Sequence, residues 1–141
     1  MNIDAIKNGF VIDHIPAGSG MKLYDLLGLD ALDCQIAIIK NAASSRMGKK
    51  DIIKIAENIP VDLDIIGYVA PNVTISVIRD GKLVEKKSID LPEMITNVIQ
   101  CKNPRCITST EQELDHQFRL SDREKRIYRC IYCETKASYD D

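Results

Sequence analysis

The chain has 141 residues, 19 Lys and Arg against 21 Asp and Glu for a formal charge of −2, 45% hydrophobic residues, 5% aromatic residues and five cysteines. That length holds one or two small domains and excludes a large enzyme. No apolar run nears the ~20 residues of a membrane helix. Met1-Asn2-Ile3-Asp4 lacks a signal-peptide layout, so a cytoplasmic protein with reduced cysteines is expected. The slight acidic excess argues against a broad nucleic-acid surface.

In chain order, Ile6 to Ile15 reads as a strand closed by Pro16. After the turn Ala17-Gly18-Ser19-Gly20, a helix is expected over Met21 to Leu27, with Ser19 at its start and Gly28 at its end. Cys34 to Lys40 is a second strand and Asn41 to Met47 a loop. The spacing of Ile52, Ile53, Ala56 and Ile59 predicts a second helix over Lys50 to Asn58, stopped by Pro60. Ile65 to Ala70 reads as a short strand. Val73 to Val77 alternates apolar and polar residues, Asp80-Gly81 is a hairpin turn, and Lys82 to Ser88 is the return strand. The expectation is an α+β fold: a mainly antiparallel sheet with two helices on one face, ferredoxin-like in layout. Residues 1–90 form this first domain and 91–100 a linker. Residues 101–141 form a small antiparallel β domain built on metal.

The metal reading rests on spacing. Cys101 and Cys106 make a C-x4-C pair, and Cys130 and Cys133 a C-x2-C pair. Two close thiolate pairs separated by a loop are the layout of a tetrahedral zinc site. Four protein ligands leave no open position, so one structural zinc per chain is expected rather than a catalytic one. Cys34, alone in an apolar stretch, reads as a small core residue.

Two basic clusters stand out: Arg46, Lys49, Lys50 and Lys54, and Arg79, Lys82, Lys86 and Lys87. The plain reading is a solvated surface that guards strand edges. The sharper one is a phosphate site, with lysines as point charges. Asp13-His14 at the end of the first strand adds a carboxylate next to an imidazole. No nucleophile with a partnering base emerges, which argues against an enzyme. A zinc-ribbon nucleic-acid module explains the cysteines equally well. It explains the first 90 residues badly, and it calls for a basic excess in a tail that balances eight Lys and Arg with eight Asp and Glu.

Along its length the chain resembles the regulatory chain of aspartate carbamoyltransferase. The resemblance is carried by Ala5-Ile6-Lys7, Gly9, Val11 to Ala17, Met47-Gly48, Lys50-Asp51, Ile53-Lys54-Ile55, Ala70-Pro71, Leu91-Pro92-Glu93 and the cysteine set. It implies a non-catalytic subunit of pyrimidine biosynthesis whose N-terminal domain binds nucleotide effectors and forms a homodimer. CTP, sometimes with UTP, inhibits and ATP activates. The zinc domain docks on a separate catalytic chain, and regulatory dimers tether catalytic trimers. No nucleic-acid or membrane partner is expected.

By position, the resemblance implies nucleotide contacts from Asp13, His14, Lys54 and Lys86, with Thr74 in the pocket. Ile6, Ile78 and Leu83 fall where the base is packed or read. Asn103 and Glu134 match contacts to the catalytic chain. Ser76 stands where an asparagine is expected and Gly81 where a tyrosine occurs, while Arg105 and Thr135 depart from an asparagine and a lysine. A two-residue Asp80-Gly81 loop sets Ile75 opposite Lys86; a three-residue loop with a bulge sets Ser76 there. A shared triphosphate pocket requires Ser76 opposite Lys86, so that register is expected.

Overall fold

The computed structural model describes residues 6–137, which fall into two compact units meeting at Asp90 and Leu91. The first unit has strands β1 (Gly9–Pro16), β2 (Ile36–Ser44), β3 (Gly48–Ile55), β4 (Thr74–Arg79) and β5 (Lys82–Ser88), with helices α1 (Gly20–Leu26) and α2 (Leu63–Val69). The sheet order is β2-β3-β1-β4-β5, and every neighbouring pair is antiparallel. Strands β1 to β4 with the two helices follow the ferredoxin-like order, and β5 extends the sheet through a hairpin.

The number of strands and helices matches the sequence reading, but two of them exchange places. The predicted helix over Lys50 to Asn58 is strand β3. Its burial alternates, with Asp51, Ile53 and Ile55 inside, the two-residue period of a strand. The short strand predicted over Ile65 to Ala70 is α2. Asp62 caps it by accepting from the N–H groups of Asp64 and Ile65 at 3.0 and 3.4 Å, satisfying donors that a helix start leaves open. The predicted loop over Asn41 to Met47 is shorter than expected, because β2 runs on to Ser44.

One face of the sheet is apolar and packed with helix residues. Its core joins Ile12 and Ile15 of β1, Ile53 and Ile55 of β3, and Ile75 of β4 to Leu23 of α1 and Ile66 of α2. Cys34 packs half-buried against this core, as expected. Gly9 lets β1 approach β3: a Cβ there would lie 1.9 Å from the Ile55 carbonyl oxygen. Among the described residues, no helix packs on the opposite sheet face.

The second unit is a three-stranded sheet, β6 (Met94–Thr96), β7 (Gln117–Asp122) and β8 (Ile127–Cys130), in the order β6-β7-β8. The segment read as a linker over 91–100 therefore contributes a strand, with Ile95 facing Phe118 across the ladder. The buried apolar set is small: Leu91, Ile95, Ile99, Phe118 and Tyr128, with the thiols of Cys106 and Cys130. Tyr128 is fixed by its hydroxyl, which donates to the Pro92 carbonyl at 2.5 Å.

Candidate functional site

The helix-free face of the first unit gathers the polar residues singled out from the sequence. Residues directly opposite in an antiparallel ladder share a face. The pairings Ala37 with Lys54, Lys54 with Val11, Val11 with Ser76 and Ser76 with Lys86 form one row across all five strands. Lys54 and Lys86 thus point to the same side, separated by three strand intervals, about 14 Å. Their four-carbon stems bring both ammonium groups within reach of one polyphosphate. The hairpin reaches this register by its own route. Asp80 and Gly81, with φ of 52° and 76°, form a two-residue turn of the kind that demands positive φ at both positions. A bulge between Val77 and Ile78 then restores Ser76 opposite Lys86. The expected pairing is right, but the expected three-residue loop is wrong: the loop has two residues and the bulge lies within the strands.

Next to this row, two bulges distort the sheet, one on β1 between Ile12 and Ile15 and one on β2 between Ile39 and Ala42. On β1, Asp13 and His14 together occupy the space between the Ile12–Ile53 and Ile15–Asp51 pairs, and His14 has φ 61°. Bulges re-aim side chains, and a non-glycine residue with positive φ stores strain. His14 is aimed at β4, where its Nδ1 lies 3.2 Å from Thr74 Oγ1. Asp13 Oδ1 accepts the His14 N–H at 2.6 Å and pairs with Lys50 Nζ at 3.0 Å. Burial alone raises the Asp13 pKa, but the Lys50 ammonium and the His14 N–H outweigh it and hold the carboxyl below its ordinary range.

Ile78 and Leu83 pair with one another on the same face, with Leu83 exposed. Ile6 is one residue before Lys7, whose carbonyl accepts from Gly81 N–H at 2.9 Å. This sets Ile6, Ile78 and Leu83 at the hairpin end of the sheet. Asp13, His14 and Thr74 lie at the other end of the same strands.

Two residues in this region were missed as site residues. Lys50 was counted in a basic cluster and among the matching residues but given no site role, yet it is the partner of Asp13. Asp51 is fully buried and accepts from three backbone N–H groups: Gly18 at 3.1 Å, Gly20 at 3.0 Å and Asn41 at 3.0 Å. It does what Ser19 was expected to do, since Ser19 makes no side-chain cap bond. The start of α1 and the bulge on β2, between Ile39 and Ala42, converge on this carboxylate. The hint in the sequence was a lone aspartate inside an isoleucine-rich segment.

The second candidate site is in the second unit. The Sγ atoms of Cys101, Cys106, Cys130 and Cys133 all lie within 4.8 Å of one another. Cys101 and Cys133 are 3.6 Å apart and Cys106 and Cys130 3.7 Å. A disulfide requires about 2.05 Å. Four sulfurs arranged tetrahedrally at ~2.3 Å from a metal are about 3.8 Å apart, so the donor set fits a tetrahedral metal ion.

Each knuckle is built by its own turn. In the first, Arg105 N–H donates to Asn103 Oδ1 and Cys106 N–H to the Asn103 carbonyl. In the second, Glu134 N–H donates to the Cys130 carbonyl at 2.9 Å, and Glu134 adopts φ 67°. His116, which the sequence reading left without a role, accepts the Cys101 N–H on Nδ1 at 3.1 Å.

The thiols are electrostatically unequal. Burial pushes Cys101 up to about 12, with the other thiols adding to it. Burial also opposes ionisation of Cys133, but the Thr135 hydroxyl and N–H and the Asn103 side chain overcome it and bring Cys133 down to about 6. Glu134, proposed from sequence as a partner contact, is exposed and paired with Arg119 at 2.6 Å.

Comparisons with known proteins assign both units. Residues 1–90 match the family model described as the aspartate carbamoyltransferase regulatory chain, allosteric domain. Residues 93–141 match that of the same chain's metal binding domain. The chain belongs to the aspartate carbamoyltransferase regulatory chain family. It is 49% identical over 134 residues to the regulatory chain of Clostridium botulinum, covering 95% of this chain and 92% of that one. The Bifidobacterium longum regulatory chain is 46% identical over 137 residues, covering 97% and 99%. That of Clostridium tetani is 47% identical over 135 residues, covering 95% and 94%. The two domains of a regulatory chain are allosteric and metal-binding, neither of them catalytic. A regulatory chain implies a catalytic chain as its partner. Among the described residues, no helix is long and apolar enough to cross a membrane.

Proposed function

We propose that this regulatory chain binds nucleoside triphosphates, CTP and UTP as inhibitors and ATP as activator, on the helix-free face of its first unit. In the same reading it docks a catalytic chain through a zinc-stiffened second unit. The observation that carries the nucleotide reading is the single row Lys54–Val11–Ser76–Lys86. Two cations on one uncovered face supply point charges for a triphosphate. Asp13, His14 and Thr74 offer a carboxylate, an imidazole and a hydroxyl to a ribose or phosphate. Ile6, Ile78 and Leu83 offer apolar surface to a base.

The metal is zinc, held by Cys101, Cys106, Cys130 and Cys133. When bound it supplies a rigid cross-link between the two knuckles and no reactive position. The knuckles present Asn103 and Glu134 to the catalytic chain. The first units pair as a homodimer, so regulatory dimers tether catalytic trimers in pyrimidine biosynthesis. Effector binding biases the assembly between states of unequal affinity, and a coupling of about 1–3 kcal/mol is ordinary for such a link.

Calorimetric titration of the purified chain with CTP, UTP and ATP tests this reading. Binding should be lost in Lys54→Ala and Lys86→Ala while the catalytic chain still co-purifies. Nucleotide binding unchanged by both substitutions contradicts the site. Tight binding of an oligonucleotide in place of mononucleotides favours the zinc-ribbon alternative.

A further inference from the structure

The four sulfurs differ in what holds their charge. A zinc ion with four thiolates carries a net charge of −2, and half of this centre is buried, so each sulfur needs hydrogen-bond donors. Backbone groups of the turns supply several of them. The Asn103 N–H is directed at Cys101, and the Tyr132 and Cys133 N–H groups at Cys130. For Cys106, which is 1% exposed, the donor is a side chain. Thr108 Oγ1 donates to Cys106 Sγ at 3.1 Å, and Thr108 is itself 4% exposed. Thr108 sits in a one-turn 3-10 helix, Ile107–Ser109, directly after the first knuckle. There the Ser109 N–H returns to the Cys106 carbonyl at 2.9 Å. The buried hydroxyl at that position is spent on the sulfur.

The second knuckle has a counterpart. Thr135 Oγ1 lies 3.2 Å from Cys133 Sγ, and the Thr135 carbonyl accepts the Cys130 N–H at 2.9 Å. A thiolate can only accept, so each hydroxyl turns its proton to the sulfur once the thiol is ionised. One hydroxyl then serves the buried pair, Cys106 and Cys130, and one serves the outer pair, Cys101 and Cys133.

We propose that Thr108 and Thr135 are positioning residues of the metal centre. Their hydroxyls stabilise the Cys106 and Cys133 thiolates and set how tightly the centre holds a divalent metal. Thr108 has the larger share because its sulfur is the more deeply buried. This inference rests on the reading that the four cysteines bind such a metal.

The test uses the full chain loaded with zinc or cobalt(II), and a chromophoric chelator as competitor. Thr108→Val keeps the shape and removes the donor, and it should weaken metal binding roughly 10–100-fold, the usual effect of losing a partner of a metal ligand. Thr108→Ser should restore near-normal affinity. Thr135→Val should show the same direction with a smaller change. In the cobalt form, Thr108→Val should move the sulfur-to-metal charge-transfer band to lower energy, because the sulfur becomes more electron-rich. Affinity within twofold of the parent and an unmoved band in Thr108→Val overturn the proposal. So does an equal loss in Thr108→Ser, which would make the hydroxyl irrelevant. Failure of the unsubstituted chain to bind metal would instead overturn the underlying four-cysteine reading.

Discussion

The two units are held together by different physics. The first buries a continuous set of isoleucines between a sheet face and two helices. The second buries only a handful of apolar side chains around three short strands and two cysteine knuckles. A unit of about 50 residues with so small a core ordinarily needs a staple. The contrast teaches what each unit leaves exposed. The apolar core leaves one sheet face free to carry lysines. The metal replaces a core and leaves the knuckle residues on the surface.

Metal removal should break this contrast most strongly. Structural zinc in small domains contributes about 10–16 kcal/mol of apparent binding energy, which is folding energy. Chelation should therefore erase amide-exchange protection in β7 and β8 and leave that of β1, β3 and β4 in place. The converse is Ile53→Ala. It empties a fully buried position between β1 and β2 and should cost about 2–5 kcal/mol. Chemical denaturation should detect the loss in the first unit, with metal content unchanged.

A smaller effect is expected at Asp51. Asp51→Asn keeps the size but removes the charge and one acceptor from a site serving three N–H groups. Hydrogen bonds to charged groups are worth about 1.5–3 kcal/mol, so a loss of that order should appear in the same denaturation experiment. Smaller still is the Asp13–Lys50 pair. The folded-state pKa of Asp13 is lowered, so its stabilising contribution is complete above the ordinary carboxylate value of 3.8 and is lost as pH falls further toward the folded-state pKa. Partly exposed pairs contribute about 1 kcal/mol at most. A Lys50→Met variant should lose that small amount of stability at neutral pH, and its difference from the parent should vanish as pH falls through the folded-state pKa of Asp13.

The sequence was most legible where chemistry dictates spacing. C-x4-C and C-x2-C led to the four-cysteine cluster and Asp80-Gly81 to the hairpin, whereas the register with Ser76 opposite Lys86 followed from the shared pocket that the resemblance implies and not from the turn. It was least legible where short apolar runs fit two periods. Ile52-Ile53 with Ile55 satisfies a strand, and the same stretch extended to Ala56 and Ile59 satisfies a helix; pairing with both β1 and β2 decides for the strand. Ile65-Ile66 reads as a strand until Asp62 is seen to cap a helix. Asp51 and His116 act through backbone groups of distant segments, and no local pattern marks such partners. Thr108 was invisible for the opposite reason. It is two residues from a ligand, but a threonine there carries no signal until its hydroxyl is seen on the sulfur.

If the helix-free sheet face is the proposed nucleotide site, it should bind a triphosphate independently of the metal-held unit. The most direct measurement is an amide-resolved NMR titration of the full chain with CTP, before and after chelation. Shifts should centre on Val11, Asp13, Lys54, Ser76 and Lys86 and saturate at the same nucleotide concentration in both forms. Shifts centred on the helix-covered face, or loss of nucleotide binding on chelation, would contradict it.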